Sequence, residues 1–298
     1  MHRIYLVTFL VLLLSGCSTA QFLVANVPTE FDRIDRHADL PYGSDPRQHL
    51  DIYAPRQAQD RPGRASPGRA RPGRGRPVVI FWYGGSWVKG NKSQYRFVGT
   101  TLAERGIVAV LPDYRLYPQV TFPAFDEDGA RAVAWVEQHI QQYGGDPREI
   151  VLMGHSAGGH TAAFLAFNHE FLRKFGADPG SIVGLVGLSG TYVLVPQDPT
   201  ERATFPEPYT EADWQPIRFV DAHSPPALLL HGTDDTEVMP QEAIQLRDAM
   251  LALHLRVELH LYAHHGHGDT VAPFAPVARW RSPALQDTLA FIESVTRD

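Results

Sequence analysis

Short apolar runs alternate along most of this chain with longer stretches whose apolar residues recur at every third or fourth position. The runs at 78–82, 107–111, 150–153, 182–188, 227–230 and 257–261 have the length of strands, and most are nearly uninterrupted, as in strands covered on both faces. Between them, 95–105, 125–142, the segment after residue 156, 241–253 and 284–295 carry helical spacing. Ala130, Val133, Ala134, Val136 and Ile140 mark the second of these, which Gly144-Gly145-Asp146-Pro147 stops. Ahead of them, Leu50 and Ile52 alternate with polar residues before Pro55, which predicts an edge strand opening the sheet. Strand and helix in alternation predict an α/β fold, a mostly parallel central sheet with helices on both faces.

The pattern fails in four places. Arg3 precedes a mostly apolar run at 4–14, too short to span a bilayer and shaped like a signal peptide ending at residue 16. Leu14-Ser15-Gly16-Cys17 follows and resembles a bacterial lipobox. Cys17, the only cysteine, is therefore expected to carry lipid and become the first mature residue. Several acyl chains on one residue anchor firmly where one chain binds marginally. The expected address is the bacterial cell envelope, and Ser18 favours the outer membrane.

Residues 17–41 are polar with scattered apolar positions and read as a tether ahead of a domain at 42–298. At 56–77, Arg-Pro-Gly-Arg recurs without an apolar face, which predicts an extended insertion between strands. At 191–221, Pro196, Pro199, Pro206, Pro208 and Trp214 break the order; the segment either shapes a pocket or only connects.

Composition changes this picture little. With 298 residues and 44% hydrophobic content, the chain suits one large domain. Removing the +6 of the arginine-rich tract and Arg3 from the formal net charge of −6 leaves −13 on the remainder. That tract lacks aromatic residues to stack on bases, which sets nucleic acid aside as a partner. A solvated insertion, or contact with anionic envelope surfaces, remains.

The candidate chemistry starts at Gly154-His155-Ser156-Ala157-Gly158, a G-x-S-x-G pattern between a buried strand and a small-residue helix start. Glycines two positions either side of Ser156 permit a tight strand-to-helix turn that exposes its Oγ and aims the Ala157 N–H at a developing oxyanion. A serine nucleophile needs a base and a group to orient it. His231-Gly232-Thr233-Asp234-Asp235 follows one strand end and offers Asp235, with Asp234 as rival. Tyr262-Ala263-His264-His265-Gly266-His267-Gly268-Asp269 follows the next and offers His267, with His264 and His265 as rivals. Clustered histidines with Asp269 also fit a metal site, but a loop lacks the i, i+4 geometry of helical ligand pairs and no second ligand cluster is evident. The chemistry needs neither metal nor organic cofactor.

Tyr83-Gly84-Gly85-Ser86-Trp87 stands where an oxyanion loop belongs, and it resembles the H-G-G-G-W segment of hormone-sensitive-lipase-like and bacterial feruloyl-esterase-like α/β-hydrolases. Asp113-Tyr114-Arg115-Leu116, Phe122-Pro123-Ala124, Tyr143-Gly144-Gly145-Asp146-Pro147, the elbow, His231-Gly232-Thr233-Asp234-Asp235 and Gly266-His267-Gly268 resemble the same family at successive stations. The resemblance implies an α/β-hydrolase fold, with Ser156 as nucleophile, Asp235 as acid and His267 as base. It assigns the N–H groups of Gly85, Ser86 and Ala157 to an oxyanion hole. The implied substrates are short acyl esters, or acetyl and feruloyl groups on carbohydrate; amide hydrolysis and a non-catalytic surface lipoprotein are the alternatives. Three residues depart from the family: Tyr83 replaces histidine, Ser86 a third glycine, and Asp269 stands near a usual phenylalanine. Each bears on the shape of the pocket.

Overall fold

The computed structural model describes residues 19–27, 34–56 and 75–296. Eight strands, β1 (Ile34–Pro41), β2 (His49–Pro55), β3 (Arg76–Trp82), β4 (Val108–Pro112), β5 (Gly145–His155), β6 (Ile182–Leu188), β7 (Ala227–Gly232) and β8 (Val257–Tyr262), form one sheet of order β1-β2-β4-β3-β5-β6-β7-β8. From β4 to β8 every neighbouring pair is parallel; β1 and β2 run antiparallel to their neighbours. All seven residues of β3 are buried. This is what a strand in mid-sheet needs when helices cover both faces.

The helices of the described residues are α1 (Thr19–Asn26), α2 (Arg96–Ala103), α3 (Ala124–His139), α4 (Ala157–Phe167), α5 (His169–Lys174), α6 (Pro199–Thr204), α7 (Glu211–Trp214), α8 (Pro240–Ala252) and α9 (Ala284–Val295), of which α4 carries the site. The alternation expected from the sequence is present, and so is the parallel sheet. Because β3, β5, β7 and β8 are parallel, the loops that leave their carboxyl ends gather on one edge of the sheet.

Several boundaries differ from expectation. The edge strand is β1, not the 49–53 segment, and the sheet begins at Ile34, inside what reads as a tether. β1 carries Ile-Asp-Arg-His-Ala-Asp-Leu-Pro with five consecutive exposed residues, so no apolar alternation announces it. It is held by backbone pairing to β2 and by the Arg36–Asp51 ion pair at 2.7 Å. At the other boundary, Arg76 and Pro77 open β3 and do not belong to the insertion: the Arg76 N–H donates to Gly144 O at 2.8 Å. The helix expected over 125–142 ends at His139 and tightens into a single 3₁₀ turn (Ile140–Tyr143), and Gly145-Asp146-Pro147 then begin β5 as well as stopping the helix. Cys17, the signal sequence and residues 57–74 lie outside the described residues.

One buried group ties α3 to α4. The Thr161 hydroxyl donates to Asp126 Oδ1 at 2.8 Å, and Asp126 is fully buried. Burial pushes its carboxyl up to about 8. Because the folded value lies above the unfolded one, the folded state holds this proton more tightly, and stability falls as pH rises from about 4 towards 8. Asp126→Asn keeps the acceptor for Thr161 without the ionisation. Its Tm should match wild type near pH 4, exceed it increasingly up to pH 8 and hold a constant gain above that, by at least about 3 °C. A pH-independent difference in thermal scans would contradict this account.

Candidate active site

Ser156 joins β5 to α4 with φ 57° and ψ −126°, a strained conformation for a side-chain-bearing residue that costs about 1–3 kcal/mol. Its N–H donates to Leu188 O at 3.0 Å, which pins the turn to β6. The flanking glycines are required by contact. A Cβ on Gly154 would lie 2.0 Å from Gly158 O, and one on Gly158 would lie 2.1 Å from Trp82 O. Strand, helix and β3 therefore meet backbone to backbone around the serine, the steric reason for the G-x-S-x-G spacing.

Asp235 sits just past β7 and is buried. Its Oδ1 accepts the N–H groups of Glu237 and Val238, both at 3.0 Å, and its Oδ2 accepts His267 Nδ1 at 2.8 Å and His231 Nε2 at 3.1 Å. Burial alone would raise its pKa. The hydrogen bonds from His231, His267 and the Val238 N–H outweigh burial and hold it well below the ordinary carboxylate value. The fully ionised carboxylate fixes the His267 tautomer with hydrogen on Nδ1, which leaves the Nε2 lone pair to act as a base.

The rivals go elsewhere. Asp234 is exposed, accepts the Thr233 hydroxyl at 2.9 Å and faces His264 at 3.6 Å. His265 turns away from Asp235, its Nε2–H donating to the Arg281 carbonyl. Of the three histidines in the loop, only His267 meets Asp235.

The nucleophile loop and the base loop are linked directly. His155 Nε2–H donates to His267 O at 3.2 Å, and the two rings lie 4.7 Å apart. Burial, and then the neighbouring His267 ring, push His155 down to about 3, so it stays neutral beside the base. Sequence reading passed over His155 and His231. A histidine four residues before the acid was visible in His231-Gly232-Thr233-Asp234-Asp235, but nothing in the spacing shows that its Nε2–H is shared between Asp235 and Val238 O.

On the other side of Ser156, the loop after β3 carries three consecutive left-handed residues, Gly85 (φ 130°), Ser86 (φ 53°) and Trp87 (φ 59°). A Cβ on Gly84 would lie 2.8 Å from Ser156 Cβ, so this loop lies directly against the serine. Among the described residues none accepts the N–H of Gly85 or Ser86. The Ala157 N–H, in the first turn of α4, has no helical carbonyl to meet. Of the departures from the family pattern, Tyr83 turns away from the serine: it stacks on Tyr114 at 4.7 Å and accepts Arg47 Nη2 at 2.9 Å. Asp269 staples its own loop by accepting the Gly266 N–H at 2.9 Å and Arg281 Nε.

The 191–221 segment is more than a connection. Its Phe205 meets Trp87 edge to face at 4.8 Å, and Trp214 O accepts Nε2–H of His160, one turn into α4, at 2.7 Å. Burial pushes His160 down to about 4, so a neutral ring packs against both Trp87 and Phe205.

A twisted, mostly parallel sheet with a strained serine after β5, a carboxylate after β7 and a histidine after β8 defines an α/β-hydrolase. The prolyl oligopeptidase family model matches residues 126–297, more than half the chain, and the BD-FAE model matches residues 68–179. The chain belongs to the prolyl oligopeptidase family within the α/β-hydrolase superfamily, and its curated relatives are carboxylesterases.

Among those relatives, the isoprenylcysteine alpha-carbonyl methylesterase of Arabidopsis thaliana is 30% identical over 252 residues, 77% of this chain and 56% of that protein. The probable carboxylic ester hydrolase LipM of Mycobacterium tuberculosis is 34% identical over 227 residues, 69% of this chain and 49% of that protein. The chain thus spans about half the length of the curated relatives it matches. A thermophilic esterase of Thermogutta terrifontis, solved with propionate bound, superposes with a TM-score of 0.67 at 26% identity, covering 90% of this chain and 94% of the other. A truncated carbohydrate esterase from gut microbiota shares the fold, with a TM-score of 0.69 at 20% identity over 87% of this chain and 96% of that one.

Proposed function

We propose that this chain is a serine carboxylesterase that cleaves short acyl esters through an acyl-enzyme on Ser156. The observation that carries the reading is the 2.8 Å bond from His267 Nδ1 to buried Asp235, in a loop tied through His155 to the serine turn. In this reading His267 Nε2 takes the Ser156 proton as Oγ attacks the acyl carbon. The N–H groups of Gly85, Ser86 and Ala157 receive the oxyanion. His267 then protonates the departing alcohol, and water repeats the sequence to release the acid.

A short acyl group is supported by the buried ring cluster of Trp87, His160 and Phe205 beside the elbow, and by the propionate held by the Thermogutta esterase. Glu237, 65% exposed, places Oε2 4.0 Å from His267 Nε2, where a leaving alcohol would pass. Acetylated or feruloylated carbohydrate is the candidate class with a polar alcohol. For location, the signal-like 1–16 run and Cys17 support a lipid-anchored enzyme of the bacterial envelope, at the outer membrane.

The test is side-by-side turnover of acetyl, butyryl, octanoyl and feruloyl esters and an aryl formamide. We expect acetyl and butyryl esters to exceed the octanoyl ester by at least about tenfold in kcat/KM, the scale set by a few methylenes in a closed pocket. Preference for the formamide, or for the octanoyl ester, would contradict the reading.

A further inference from the structure

We propose that the face formed by Leu23, Val24, Val27, Val277 and Trp280 lies on the surface of a lipid bilayer. α1 carries apolar residues on its outward side as well as its inward side. Its inward side is anchored by Asn26, whose Nδ2 donates to Gln94 O at 2.8 Å and whose Oδ1 accepts the Phe97 N–H at 3.0 Å, and by Phe22 against Tyr95 at 5.0 Å. Its outward side is apolar: Leu23, Val24 and Val27 are 66%, 37% and 57% exposed. An amphipathic helix in water turns such residues inward, so a fixed helix that turns them out marks a contact surface.

The segment packed against the helix is apolar and exposed as well. α1 packs against the turn Pro276–Ala278, which brings up Val277 at 51% exposure, and Trp280 follows at 76%. The Arg281 guanidinium lies 5.6 Å from the Trp280 ring, and Arg279, which precedes Trp280 in the sequence, pairs with Glu104 at 3.6 Å. Tryptophan between arginines, beside exposed aliphatic residues, is the composition of surfaces that rest at the headgroup level of anionic membranes.

Chain order selects the bilayer as occupant. Cys17 stands two residues before Thr19, so a lipid on it would tether the chain close in sequence to the start of α1. Lipid on Cys17 would hold the bilayer beside the helix that carries this face. The proposal thus shares the Cys17 anchor with the reading above, and it is independent of the Ser156 chemistry.

The face is also coupled to the site. Arg281 Nε donates to Asp269 Oδ1, the Arg281 carbonyl accepts His265 Nε2–H, and the Ser282 hydroxyl donates to Asp269 O at 2.7 Å. Docking would therefore give the loop that carries His267 a fixed attitude towards the membrane.

Trp280 reports on this directly, because Trp82, Trp87 and Trp214 are buried and Trp135 is half-buried. The experiment uses the full chain isolated from bacterial envelopes and reconstituted in phosphatidylethanolamine–phosphatidylglycerol vesicles, with Trp280→Phe supplying the background from the other tryptophans. We expect acrylamide quenching of Trp280 to fall at least threefold on vesicles relative to the Cys17→Ala chain in solution, and brominated acyl chains to quench it. Leu23→Ser with Val27→Ser should restore acrylamide access without changing ester turnover. A chain anchored through Cys17 whose Trp280 stays as accessible as in solution overturns the docking face and leaves the anchor standing. A Cys17→Ala chain that still reaches brominated lipid supports the face and removes the anchor. Trp280 already shielded in the vesicle-free chain, by residues 1–18 or a second copy, overturns the proposal.

Discussion

Ser156→Ala is expected to lower kcat/KM for an acetyl ester by at least about 10³-fold, with no loss of fold. The substitution removes one oxygen. The Cβ that meets the Gly84 backbone stays, as does the φ of 57° set by the N–H to Leu188 O bond and by the backbone contacts of Gly154 and Gly158. Circular dichroism and Tm should therefore match wild type while turnover collapses to what oriented water and the oxyanion loop provide. Turnover within tenfold of wild type would mean that another group attacks.

Asp235→Asn should cost about 10⁴-fold in kcat, because an amide that donates to Nδ1 would hold the proton of His267 on Nε2, the tautomer that cannot accept from serine. Asp234→Asn should change kcat by less than about threefold, since its carboxylate is exposed and turned to Thr233 and His264. Equal losses in the two variants would undo the assignment of the acid. His231 Nε2–H also donates to Asp235 Oδ2 at 3.1 Å, so one hydrogen bond to that oxygen survives without His267.

How much of this was legible in the sequence follows from what kind of constraint each element obeys. β3, β5, β6 and β7 are covered on both faces, so burial demands near-continuous apolar runs, and those runs are visible. β1 is held by backbone pairing and the Arg36–Asp51 pair, neither of which leaves a hydrophobic period. The elbow was legible because a Cβ on Gly154 or Gly158 would come within 2.0 or 2.1 Å of a backbone oxygen, which leaves glycine as the residue that fits. Choosing between Asp234 and Asp235 was not a matter of residue type. The choice rests on two backbone N–H groups, of Glu237 and Val238, that turn Asp235 inward. His155 acts through a main-chain carbonyl of His267, 112 positions away, a contact no local pattern encodes. The 191–221 segment read as disorder of pattern because its residues pack by aromatic edges around Trp87 and His160, not by helical or strand period.

The central claim, that Ser156 is the nucleophile, is tested most directly by covalent labelling. A fluorophosphonate should modify the wild-type chain at one equivalent per chain, with loss of fluoride and the label on the peptide that contains Ser156 when read by mass spectrometry. Labelling should vanish in Ser156→Ala and slow by orders of magnitude in His267→Ala. A label on any other residue, or undiminished labelling of Ser156→Ala, would contradict the account.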